Sequence, residues 1–224
     1  MNAKRYAIIS VALSTLFMCV VDGFLSPPYL YKSLIKILLF LFVPMVYFFA
    51  FRGKKESLSR LFSPRKKGIF LSLLLGIAVF CVILGAYFFL RSFIDFSGIR
   101  ASLTDGIGVT AENFLFVALY ISFVNSLLEE FFFRGFAFLL LRQEVGRRFA
   151  YLYSSVLFAL YHVGMTSGWF NPLIGALAML GLFAGGCIFN YLNERFDCIY
   201  PSWLVHMFAN FAINTIGFIL FGIL

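Results

Sequence analysis

Seven long apolar stretches decide what this chain can fold into. They run over roughly 6–25, 33–51, 68–90, 114–141, 149–168, 172–193 and 200–224, and a membrane-spanning helix needs ~20 mostly apolar residues. A soluble domain of 224 residues has too little interior to hide them all. Hydrophobic residues reach 62% and charged residues fall to 12%, against ~45–50% and ~25% in ordinary globular chains. The fold class that follows is all-α, a polytopic membrane bundle of about seven (seven to eight) transmembrane helices. Residues 1–224 read as a single integral membrane domain, with 1–110 supplying the N-terminal helices and a basic linker. The first stretch has no A-x-A-like cleavage site after it and reads as an uncleaved anchor.

The net charge of +8 does not call for nucleic acid, because the basic residues sit mostly between the apolar runs. With the N-terminus cytoplasmic, the inner segments hold 13 Lys and Arg, including seven in 52–67, and the outer loops hold only Lys32, Arg91 and Arg100. That bias follows the positive-inside rule. Segment 52–67 mixes its basic residues with Leu58, Leu61 and Phe62 at helical spacing. It reads as a surface segment lying on anionic lipid, where each basic residue gains ~1 kcal/mol. Segment 91–113 reads as an external connector. Cys19, Cys81, Cys187 and Cys198 show no CxxC pairing and read as packing residues without a disulfide. The 32 Phe are spread along the chain and read as lipid-facing filler.

Ionisable side chains inside a span are functional candidates by default. Three spans carry informative sets: Glu129, Glu130 and Arg134; Phe158 and His162; His206 and Asn210. Both histidines of the chain belong to this group. Glu130 and Arg134 are i and i+4 with the acid first, the favoured ion-pair order. Glu129 points ~140° around the helix from Arg134, so the pairing leaves it available. A carboxylate in low dielectric without a full ion-pair partner suits a general base. His206 and Asn210, also i and i+4, offer two donors on one face for a developing oxyanion. Asn214 continues that stripe and suits a bond between helices. Taken singly, each set is equally well read as buried polar packing. The absences narrow the chemistry: there is no His-Glu-x-x-His, no Gly-x-Ser-x-Gly, no Gly-x-Gly-Asp and no Walker loop.

In this order the three sets resemble the signatures of the CAAX-processing and bacteriocin-processing (CPBP, or Abi) intramembrane proteases, which include the Ras-converting CAAX endopeptidases. Those signatures are Glu-Glu-x-x-x-Arg, Phe-x-x-x-His and His-x-x-x-Asn, and here they read Glu129 to Arg134, Phe158 to His162 and His206 to Asn210. The resemblance covers about 110–224 and makes 111–224 the expected catalytic core. It implies a membrane peptidase acting on a membrane-associated peptide or protein. Glu129 would activate water, His162 would position it, and His206 and Asn210 would hold the oxyanion, with Glu130 and Arg134 as structural support. The expected cofactor is none. The alternative is zinc on Glu129, His162 and His206 with an open water position. A non-catalytic peptide-binding or immunity protein of the same fold, and a small proton-relaying transporter, stand as competing functions. Small size and an N-in start fit a bacterial cytoplasmic membrane.

Overall fold

Residues 2–51, 59–106, 108–166 and 172–224 are described by a computed structural model. Seven long helices account for most of them: α1 (Ala3–Leu25), α2 (Tyr29–Ala50), α3 (Lys66–Leu90), α4 (Phe114–Val145), α5 (Arg147–Thr166), α6 (Pro172–Phe196) and α7 (Tyr200–Leu220). No strand occurs among the described residues. The protein is a polytopic helical bundle and an integral membrane protein. Six of the seven helices are long and apolar enough to cross a bilayer. The other, α5, runs against α1, α4 and α6. Its buried face mixes Ser154, Ser155, Tyr161 and His162 with the apolar Ala150, Phe158 and Ala159.

The segments around 60–61, 142–147 and 194–199 meet at one end of the bundle. The Ile199 amide donates to the Leu61 carbonyl at 3.0 Å. Arg142 meets Glu194 at 3.2 Å and Asp197 at 3.3 Å, and Arg147 meets Glu194 at 2.8 Å. Tyr6, at the start of α1, donates to the Val43 carbonyl on α2 and stacks 6.2 Å from Tyr47. The basic residues Arg60, Arg65, Lys66 and Lys67 are exposed at this end. Residues 52–58, and with them Leu58, lie outside the described residues. Leu61 faces protein rather than lipid: it is 3% exposed and packs in the main core.

Lys32 corrects the topological count. The sequence placed it in an outer loop, but α2 starts at Tyr29, so Lys32 falls inside the helix. It is buried and paired with Asp22 of α1 at 2.7 Å. An acid on the neighbouring helix makes the buried cation tolerable, so it carries no topological signal.

The core corrects the reading of phenylalanine as filler. Phe131, Phe132, Phe133, Phe136 and Phe138 are all buried on α4, the central helix. Phe40 of α2 stacks on Phe132 with centroids 4.2 Å apart. Residues Tyr120–Asn125 and Glu130–Leu140 of α4 run as wide π-type turns, a form that recurs at functional sites. All eleven residues of the second run are buried. Gly164 of α5 lies against Cys19 and Gly23 of α1 so closely that a Cβ there would meet the Cys19 carbonyl. That crossing brings α5, and His162 with it, tight into the bundle.

Candidate active site

Glu129, His162 and His206 come from α4, α5 and α7 and meet inside the bundle. Glu129 Oε2 stands 3.9 Å from His162 Nε2 and 3.9 Å from His206 Nε2. These spans are too long for a direct hydrogen bond, and Oε2 is buried without a hydrogen-bond partner among the described residues. Oε1 is satisfied three times over. It accepts from Asn125 Nδ2 at 2.8 Å, from Tyr161 Oη at 3.2 Å and from Lys36 Nζ at 3.3 Å. The two oxygens of one carboxylate therefore have different jobs: one is tied down, the other faces both imidazoles.

Each imidazole is held by its far nitrogen. His162 Nδ1 lies 2.7 Å from the Phe158 carbonyl one turn back. A carbonyl only accepts, so that nitrogen carries the proton and Nε2 of the neutral ring presents a lone pair. His206 Nδ1 lies 2.9 Å from Glu130 Oε1, which likewise puts a proton on Nδ1. An Nε2–H on His206 then requires a doubly protonated ring, charge-paired with Glu130.

Glu130 and Arg134 form the expected i, i+4 pair, with Nε 3.5 Å from Oε2 and both side chains fully buried. The pair is looser than the sequence suggested, because among the described residues Arg134 makes no hydrogen bond through any of its three nitrogens. Its charge lies instead on aromatic faces, 3.8 Å above Phe158 and 4.9 Å from Phe189. This gives the phenylalanine of the Phe158–His162 set a physical role as a cation–π platform. Glu130 Oε2 accepts from the Ser202 hydroxyl, which Asn193 of α6 holds in turn through a 2.6 Å bond.

Asn210 is buried one turn beyond His206 on α7, and its Nδ2 donates to the Ile121 carbonyl at 3.2 Å. One amide hydrogen is used there and the second remains. Asn214 bonds the Ala118 carbonyl and Ser122 Oγ on α4, as glue between helices.

The sequence model of the type II CAAX prenyl endopeptidase Rce1-like family matches residues 111–212. Residues 111–212 are similar to this family, and they include all three signature sets. A search of curated proteins and a search of solved structures each found no match. The Rce1-like region contains every signature residue but not the whole cluster, since Lys36 enters from α2.

That lysine overturns one premise of the sequence reading. Glu129 is not without an ion-pair partner; its partner is on another helix rather than on its own. The rule that flagged the glutamates and histidines also applies to Lys36, an ionisable residue in a span, which the sequence reading passed over. Asn125, four residues before Glu129, and Tyr161, next to His162, were legible by spacing alone. Ser202 and Asn193 carried no comparable signal.

The donors proposed for zinc do not fit a resident ion. Both Glu–His pairs stand 3.9 Å apart, where tetrahedral zinc with bonds of ~2.0–2.1 Å draws its ligands to ~3.3 Å. Among the described residues no three His, Cys, Asp or Glu side chains group closely enough to hold a metal. A cavity of about 390 Å³ lies elsewhere, between Tyr87, Arg91, Phe96 and Arg100, and shares no residue with the cluster.

Proposed function

We propose that the protein is an intramembrane endopeptidase that hydrolyses a peptide bond of a membrane-associated peptide or protein, with Glu129 activating the water. The observation that carries this reading is the convergence of Glu129 Oε2, His162 Nε2 and His206 Nε2, each 3.9 Å across from the carboxylate oxygen. A gap of that length between two lone-pair acceptors suits one bridging water. The water gives one hydrogen to Glu129 Oε2 and the other to His162 Nε2, which leaves its own lone pair for the scissile carbonyl. Attack transfers a proton to Glu129 and forms a tetrahedral oxyanion. His206, protonated on both nitrogens against Glu130, donates Nε2–H to that oxyanion, and the second amide hydrogen of Asn210 joins it. Collapse breaks the C–N bond, and the proton held by Glu129 passes to the leaving amine.

No step in this scheme uses a metal, and Lys36 supplies a positive charge to the carboxylate from within the chain. The exposed basic end of the bundle, including the described part of 52–67, rests on anionic lipid in this reading, with the N-terminus on the cytoplasmic side.

Purified protein in lipid nanodiscs supplies the test. The probe is a quenched fluorescent peptide bearing a farnesylated cysteine four residues from its C-terminus, assayed in 18O water. The expected result is endoproteolytic release of the C-terminal fragment, with one 18O in the newly formed carboxylate. Binding of the peptide without cleavage would overturn the reading in favour of a non-catalytic peptide-binding protein.

A further inference from the structure

We propose that Lys36 is a positioning residue for Glu129: its ammonium pins Oε1 and leaves Oε2 as the single basic atom facing the two histidines. The inference rests on the reading of Glu129 as the base. Lys36 lies outside the Rce1-like region, so no signature motif points to it.

The geometry is complete for an ammonium. Nζ donates to Asn125 Oδ1 at 2.6 Å and to Glu129 Oε1 at 3.3 Å, and it lies 4.8 Å from the centroid of the Tyr161 ring. An ammonium has three hydrogens and no acceptor, and here each direction meets an acceptor or a ring face. Tyr161 and Asn125 each donate to the same Oε1, so the three groups close a ring around one oxygen of the carboxylate. Lys36 is 6% exposed and Glu129 is 2% exposed. The effective penalty for burying each such ion is several kcal/mol.

The position is costly in a second way. Lys32 and Lys36 are i and i+4 on one buried face of α2, and like charges at that spacing repel. Each is compensated by an acid from a different helix, Asp22 of α1 for Lys32 and Glu129 of α4 for Lys36. Asn125 and Tyr161 alone would satisfy the hydrogen-bonding capacity of Oε1. The extra feature Lys36 brings is charge, delivered to one oxygen and away from the other. A carboxylate pinned in this way cannot rotate to exchange its two oxygens, so the basic atom stays opposite His162 and His206.

The test compares Lys36→Gln, Lys36→Arg and Glu129→Gln with wild type in nanodiscs on the farnesylated peptide, reading kcat, KM and melting temperature. Lys36→Gln should lower kcat roughly 100-fold with KM nearly unchanged, the effect of a misplaced catalytic group rather than a lost binding contact. Lys36→Arg keeps the charge and should recover kcat to within about tenfold of wild type. A folded Lys36→Gln with wild-type kcat, in a background where Glu129→Gln is dead, overturns the proposal and leaves the base assignment standing. A Glu129→Gln variant with wild-type turnover would overturn the base assignment itself. If Lys36→Gln does not fold, Lys36→Arg decides: folded and active supports the role of the charge, folded and inactive refutes it.

Discussion

The Glu130–Arg134 pair predicts an asymmetry that is easy to measure. Arg134 is fully buried, makes no hydrogen bond among the described residues, and has Glu130 as its ion-pair partner at 3.5 Å. Glu130 has two further partners, the Ser202 hydroxyl and His206 Nδ1. Glu130→Gln keeps the shape and strands the guanidinium, so the usual cost of breaking a buried pair applies, about 3–5 kcal/mol. Arg134→Met leaves Glu130 with Ser202 and with a histidine able to carry the compensating proton. The variant loses a desolvated cation–π contact of about 2 kcal/mol. It regains part of that loss by placing a thioether against Phe158 and Phe189, at about 0.3–1.5 kcal/mol. The net cost of Arg134→Met is then about 0.5–2 kcal/mol, roughly 3 kcal/mol below that of Glu130→Gln. Thermal and SDS-induced unfolding in one detergent, followed by helical signal, reads the ranking directly. If Arg134→Met is as unstable as Glu130→Gln, the argument from unequal partners is wrong.

Further expectations concern rate, metal and packing. His206→Ala and Asn210→Ala should each lower kcat by about 10²–10³, the usual cost of losing one oxyanion donor; a loss confined to KM would place these residues in substrate binding instead. Chelator-washed protein should keep its activity with far less than one metal ion per chain by elemental analysis, and zinc near one per chain that tracks activity would contradict the metal-free scheme. Gly164→Ala puts a methyl against the Cys19 carbonyl and 3.0 Å from the Gly23 nitrogen. It should cost about 1–3 kcal/mol and cut turnover by displacing His162 two residues away, as read by melting temperature and kcat together.

The bundle was legible because apolar runs of spanning length admit few other folds, and α3, α4 and α7 begin within two residues of where hydropathy put them. The three signature sets were legible because buried ionisable residues stand out against such a background. Hydropathy is limited in two places. The stretch 149–168 marked α5, yet that helix is shielded by neighbours on several sides and carries serines and tyrosines, so its apolar signal is weaker than that of the other six. Lys32 read as a topological charge, and Lys36 was passed over, because nothing nearby in sequence marks their acids, Asp22 of α1 and Glu129 of α4. Spacing reveals a pair within one helix, such as Glu130 and Arg134. It is silent about a pair between helices, and the partner of Glu129 is of that kind. The same limit hid the Ser202 and Asn193 support beneath Glu130, since neither residue type is unusual in a span.

The most direct test of the account is single-turnover cleavage by Glu129→Gln. The substitution keeps the side-chain shape and an acceptor toward Asn125 and Tyr161, and it removes the base at Oε2. It also leaves Lys36 facing neutral amides, so its melting temperature should fall as well, and the rate must be measured on protein shown to be folded. The account predicts a loss of at least about 10²–10⁴ in the cleavage step, the contribution of a positioned general base, with substrate binding retained. Folded Glu129→Gln cleaving the same bond at the wild-type rate would contradict it.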